Sequence, residues 1–155
     1  MAEIIKPPHT VPWDQRKSVF LAGTIDNGQS EDWQSSVESS LSHLDILILN
    51  PRRDDWDSSW EQSIHNPDFK KQVDWELDGL NQVDIKFFYF APNSKSPITL
   101  LEFGLHADTK NMILVCPEGY WRRGNLEIVA ERFSIPLYDS IEQGMAVLLK
   151  SLVES

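Results

Sequence analysis

Glu102 stands in the run SPITLLEFGLHA, residues 96–107, with Leu100 and Leu101 before it and Phe103 after it. A carboxylate in so apolar a setting either caps a helix or does chemistry. The capping reading is specific, because Thr99-Leu100-Leu101-Glu102 spells a capping box, in which the Glu returns to the N-cap amide. Ser96-Pro97 offers a competing start, since Ser is a strong N-cap and Pro is favoured at the first helical position. A helix that begins at Pro97 carries Glu102 past its first turn and leaves it no capping role.

Glu76 raises the same question. It follows Val73 by three and precedes Leu80 by four, which puts it on or beside the apolar stripe of a helix. There it either pairs at the boundary with Lys70 or Arg53, or works in a pocket. Cleavage of a glycosidic bond needs two such acids: one attacks or stabilises the anomeric carbon, and the other handles protons at the leaving group. Asp84, a third acid, opens a strand and so falls at the opposite end of a parallel sheet, where a structural role is the better reading.

The elements that must position these groups follow from hydrophobic periodicity. Short apolar runs over residues 17–25, 45–49, 84–90, 111–116 and 136–138 read as buried strands. Between them, helical spacing marks residues 31–44 (Trp33, Val37, Leu41, Leu44), 69–81 (Phe69, Val73, Leu77, Leu80), the segment from Pro97, 125–133 and 141–152. Strand and helix alternate, which predicts an α/β fold, with helices on both faces of a parallel sheet joined by right-handed crossovers. Residues 1–16, with three prolines, read as an arm before a single domain over 17–155.

In such a sheet a ligand sits beyond the carboxyl ends of the strands. The segments expected there are Gly23 to Asp26, Asn50 to Trp56, Asn93 to Ser96 and Glu118 to Arg123, which hold much of the chain's polar, glycine and aromatic content. Arg52 and Arg53 either remain solvated or anchor a phosphate or carboxylate. Trp56, Trp60 and Trp75 either fill the core or offer a face to a nucleobase. The loop over residues 50–68 is long for a compact domain, a length typical of lids and binding loops.

Bulk properties narrow the partners. A net charge of −10 disfavours the counterion-displacing contacts that nucleic acid demands, and a small-molecule ligand fits better. No segment approaches the roughly 18 apolar residues of a membrane span. A single cysteine, Cys116, and no secretory leader fit a cytoplasmic protein, and the four histidines lack metal-ligand spacing, so neither metal nor other cofactor is expected.

With these residues in view, the chain resembles the nucleoside 2-deoxyribosyltransferase-like family, including relatives that hydrolyse deoxynucleoside 5′-monophosphates. The likeness runs from about Ser18 to Cys116 through FLAG (20–23), QVDWELDGLNQVD (72–84) and LEFGLHA (101–107). It implies a three-layer, doubly wound parallel sheet of about five strands, flavodoxin-like or Rossmann-like. It also implies a nucleoside or nucleotide substrate and a homo-oligomer. By the same resemblance Glu102 is the nucleophile that forms a covalent deoxyribosyl-enzyme, Glu76 is the acid near the leaving base, and Phe20 and Gly23 line the sugar and base.

The expected substrate-binding set is Phe20, Gly23, Asp26, Asn50, Arg52, Arg53, Trp56 and Ser96. Six residues before Glu102, Ser96 replaces an Asp frequent in the transferases and matches the monophosphate hydrolases. Asp26, however, stands where those hydrolases tend to carry a basic residue, and Pro97-Ile98-Thr99 replaces a glycine-rich run. Transfer, monophosphate hydrolysis and a catalytically weak nucleotide-binding module are therefore the three readings.

Overall fold

A computed structural model describes residues 1–25, 31–53, 57 and 59–154. The apolar runs become strands β1 Glu3–Ile5, β2 Ser18–Gly23, β3 Leu47–Leu49, β4 Ile85–Tyr89, β5 Met112–Val115 and β6 Leu137–Tyr138. They form one sheet in the order β1-β3-β2-β4-β5-β6, parallel throughout. The helices are α1 Trp33–Leu41, α2 Pro67–Gln82, α3 Pro97–His106, α4 Arg123–Arg132 and α5 Ile141–Val153.

Strand side chains alternate between two cores, as the two-residue period requires. Phe20, Ala22, Leu49, Phe88 and Leu114 meet Leu80, Phe103 and Leu126, so α2, α3 and α4 cover one face. Val19, Leu21, Ile48, Phe87 and Ile113 meet Trp33, Val37 and Leu148, so α1 and α5 cover the other. Burial on both faces explains why the strands read as continuous apolar runs. The fold is the expected three-layer, doubly wound α/β sheet.

Two features differ from the sequence expectation. The first is a sixth strand: residues 3–5, within the segment read as an arm, form β1, an added edge strand in register with β3 from Glu3↔Leu47 to Ile5↔Leu49. Only Ile5 of this strand is buried, and three residues are too few to display a period. The second difference is the phase of α2. Its buried residues are Gln72, Gly79 and Leu80, while Leu77 is exposed and Phe69 and Val73 are half-buried. The cause is Gly79, where an added Cβ would lie 2.9–3.1 Å from Leu49 and Phe20 side-chain atoms, so the helix settles on the sheet through its missing side chain. That rotation puts Glu76 in the middle of the inward face.

The helix starts follow local chemistry. Asn66 accepts from the Asp68 and Phe69 amides and Pro67 opens α2, a favourable N-cap and first position. Asp32 accepts from the Ser35 amide at 3.2 Å, which delays α1 to Trp33 and leaves Leu44 beyond its end.

From β2 the chain crosses by α1 to β3 on one side, and α2 brings it back to β4 on the other. The strand order thus reverses at β2, and the crevice outside the carboxyl ends of β2 and β4 is where ligands bind in open sheets of this kind. Gly23 closes β2 there. A Cβ at Gly23 would collide with the Tyr89 carbonyl oxygen and approach the Trp33 ring to 2.6 Å. Gly23→Ala is expected to cost about 1–3 kcal/mol by overpacking, read as a lower urea midpoint at unchanged slope.

Candidate active site

Glu102 projects from the inner side of α3, with 6% of its surface exposed. The helix starts at Pro97, so the capping-box reading fails: Glu102 is a mid-helix residue. Phe103 beside it packs edge-on against Phe88 and Phe90 at ring separations of 5.7 and 6.2 Å, which fixes the rotation of α3 on the sheet. Glu76 comes from the inward face of α2, and the two carboxyl groups hydrogen bond to each other. Spacing alone did not show this convergence.

Glu76 also accepts from Gln72 Nε2 at 3.1 Å, and Gln72 donates to the Pro51 carbonyl at 3.3 Å. Of the two cations considered as its partners, Lys70 pairs with Asp74 at 2.5 Å, and Arg53 Nη1 donates to Gln72 Oε1 at 3.5 Å. Gln72 therefore links Arg53 to the acid pair. Its signal in the sequence is positional: it lies four residues before Glu76, one helical turn away on the same face.

Burial is the largest influence on both acids and pushes both well above the usual carboxylate range. The charge of Glu76 raises Glu102 further, whereas hydrogen bonds from Gln72 and Glu102 pull Glu76 back down. Two carboxyls in contact in a low-dielectric gap cannot both ionise readily, so the pair titrates as a unit and holds one proton near neutral pH.

At the amino end of α3, Ser96 adopts a left-handed backbone, φ 49° and ψ 51°, uncommon for a residue with a Cβ. It occupies the N-cap position, but its side chain does not cap the helix. Its hydroxyl instead meets Thr24 Oγ1 at 2.5 Å and Ser94 Oγ at 2.9 Å, and Thr24 and Ser94 are 3.0 Å apart. This buried hydroxyl triangle ties the end of β2 to the loop after β4. Thr24 and Ser94 sit in the segments expected at the carboxyl ends, but nothing in their type marked them out.

The remaining candidates divide. Phe20 lies fully buried beneath α2, against Trp75 at 5.8 Å and beside Gly79. Asn50 and Arg52 brace the loop after β3 against α1. Asn50 Nδ2 donates to Glu38 at 2.8 Å, while Arg52 donates to Gln34 Oε1 at 3.1 Å and to the Glu31 carbonyl at 2.9 Å. Arg52 is only 7% exposed, so its guanidinium is held within the fold by these partners. Arg53 stacks over Trp60 at 5.0 Å. Asp26 and Trp56 lie outside the described residues.

Asp84 and Cys116 stand apart from the acid pair. Asp84 accepts from the Ser18 amide at 2.8 Å and receives its side chain at 3.2 Å, at the amino end of β2 and away from the acid pair. Cys116 is buried and its thiol is pushed up to about 11 by that burial, which leaves it un-ionised and unreactive. Among the described residues no group of three or more His, Cys, Asp or Glu is arranged to hold a metal, and no helix is long and apolar enough to cross a membrane. A surface depression lined by Arg16, Leu44, Asp45 and Leu152 opens near the amino ends of β2 and β3. It lacks an acid pair.

Two carboxyls in contact, brought together from α2 and α3 of a doubly wound parallel sheet, define the class: an α/β protein with a buried acid pair. The profile of the nucleoside 2-deoxyribosyltransferase-like family matches residues 16–120, and the chain belongs to that family. The matched region takes in Glu76, Glu102, Ser96 and all of β2 through β5. It brings an activity of the deoxyribosyltransferase type, on small-molecule nucleosides. No curated protein matches the chain.

Proposed function

We propose that the protein transfers the 2′-deoxyribosyl group of a deoxynucleoside to another nucleobase by double displacement at Glu102. The observation that carries this reading is the direct hydrogen bond between the Glu76 and Glu102 carboxyls. Residence of the shared proton on Glu76 supplies both reagents at once: an ionised nucleophile and a protonated acid. Glu102 Oε then bonds to C1′ as the N-glycosidic bond breaks, the electron pair leaves with the base, and Glu76 delivers the proton to that base. An incoming base attacks C1′, returns its proton to Glu76 and frees Glu102.

The closeness of the two carboxyls supports this route over direct attack by water. An inverting hydrolase keeps its acids roughly 6.5–9.5 Å apart to seat a water between them, and groups in hydrogen-bond contact leave no such space. Burial of Glu102 adds to this, because a dry nucleophile protects a covalent intermediate from premature hydrolysis.

A second reading, release of the base from a deoxynucleoside 5′-monophosphate to water, is favoured by the hydroxyls of Thr24, Ser94 and Ser96 at the amino end of α3. Helix amino ends attract anions, and hydroxyls supply donors. The test is chromatography of products from deoxyadenosine, deoxyinosine, deoxyguanosine, thymidine and their 5′-monophosphates, each with and without an acceptor base. A new deoxynucleoside is the expected product. Free base alone, from monophosphates, would establish the second reading, and binding without turnover of any donor would leave a nucleotide-binding module.

A further inference from the structure

Gln72 lies on α2 one turn before Glu76, only 4% exposed, with both ends of its amide engaged. Nε2 donates to Glu76 Oε2 at 3.1 Å and to the Pro51 carbonyl at 3.3 Å, and Oε1 accepts from Arg53 Nη1 at 3.5 Å. Two of these partners have fixed polarity: a backbone carbonyl only accepts, and a guanidinium only donates. Turning the amide end for end would set its oxygen against the Pro51 oxygen and its nitrogen against the Arg53 nitrogen. The loop after β3 thereby fixes which end of Gln72 meets Glu76, and that end is always an N–H.

An N–H at Glu76 Oε2 acts in one direction. It bonds strongly to a carboxylate and has nothing to offer a carboxylic acid O–H, so it favours the ionised form of Glu76 and leaves Glu76 Oε1 as the oxygen that takes a proton. Burial, the larger influence, favours the protonated form, and the hydrogen bonds from Gln72 on the same helix and from Glu102 on α3 oppose it. Arg53 assists from behind, because a cation at Oε1 polarises the amide and strengthens its N–H groups as donors.

Resting on the double displacement at Glu102, we infer that Gln72 is a positioning residue that keeps Glu76 able both to give and to take a proton. The two halves of the transfer ask opposite things of Glu76. As the N-glycosidic bond breaks and Glu102 Oε bonds to C1′, Glu76 releases its proton to the departing base. As the acceptor base attacks C1′ and the ester bond returns its electron pair to Glu102, Glu76 takes the proton that the acceptor gives up. Under burial alone Glu76 would recapture a proton from solvent in the intermediate, and the second half would stall. The N–H of Gln72 offsets that bias.

Carbon-13 NMR of the side-chain carboxyls, assigned through Glu76→Gln, tests the placement without any substrate. In a Glu102→Gln background Glu76 titrates without its acidic partner. Adding Gln72→Leu is expected to move its midpoint upward by about one to two pH units, the worth of a hydrogen bond to a charged group. A merely structural Gln72 would leave the midpoint where it was, and that result in the folded variant overturns the inference. Should Leu disturb the fold, Gln72→Met, unbranched like Gln, carries the same test. With Glu102 intact, Gln72→Leu is expected to release one equivalent of base in a burst and then to turn over about tenfold or more slowly, with deoxyribosyl-enzyme accumulating in the presence of acceptor base. Equal slowing of both halves would also overturn it. A wild type that turns over no donor removes the transferase reading instead, and the titration then decides by itself whether Gln72 governs the charge of Glu76.

Discussion

Glu102→Ala is expected to abolish turnover of every deoxynucleoside donor, with a loss on the order of 10⁴–10⁶ in kcat, the range for removing a nucleophile from a concerted catalytic unit. The loss should fall on kcat, because Glu102 makes its decisive bond only as the glycosidic bond breaks. Glu102→Gln is the stricter control. It keeps the volume and hydrogen-bonding capacity beside Glu76, so the packing of Phe103 on Phe88 and Phe90 is retained. An equal loss in Glu102→Gln, with a denaturant midpoint near neutral pH no lower than that of wild type, would locate the defect in chemistry. Steady-state product chromatography of both variants beside wild type decides it, and full activity in either would remove Glu102 from the nucleophile role.

Glu76→Gln is expected to lower kcat by about 10²–10⁴, the usual contribution of a positioned general acid. Two consequences of the shared proton go with it. The negative charge of Glu76 helps hold Glu102 in its protonated form, so removing it lets Glu102 ionise at lower pH. The acid limb of the remaining activity should therefore move to lower pH.

The second consequence concerns stability. In the folded chain both acids sit above the ordinary value of about 4.5 that an unfolded chain would show. Below that value both states are protonated and nothing is lost. As pH rises through the folded values, the unfolded chain releases its protons first, and stability falls. Wild type should thus lose stability from the ordinary carboxylate range up through neutrality into mild base. Glu76→Gln should lose less, and denaturant midpoints across this pH range measure the difference. Parallel pH dependences would show that the pair does not share a proton.

How much of this was legible in the sequence depended on the range over which each feature is encoded. The strands of the sheet are buried on both faces, so runs such as Val19 to Ala22 and Phe87 to Phe88 declared themselves locally. So did the start of α3, where Ser96-Pro97 outweighed the capping box. β1 did not, because its three residues owe their place to pairing with β3 rather than to their own pattern.

The phase of α2 was hidden for a related reason. Phe69, Val73 and Leu77 form the more hydrophobic stripe, yet Gly79 decides the contact by what it lacks against Phe20 and Leu49. Ser96 shows the same limit at the site. Its type suggested a cap, whereas Thr24 and Ser94, remote or neighbouring in sequence, draw its hydroxyl inward. Arg52 read by position as either solvated or a ligand anchor, and its hydrogen bond to Gln34 of α1 joins parts of the chain that sequence spacing could not connect.

The central claim is a covalent deoxyribosyl ester on Glu102, and mass spectrometry after rapid quenching addresses it most directly. Protein mixed with a deoxynucleoside donor, without acceptor base, is predicted to gain the mass of one deoxyribosyl group. Peptide analysis should place it on Glu102, and addition of an acceptor base before the quench should remove it as the new nucleoside appears. Base release that proceeds with no adduct on the Glu102 peptide, or an adduct that survives in Glu102→Gln, would contradict the account.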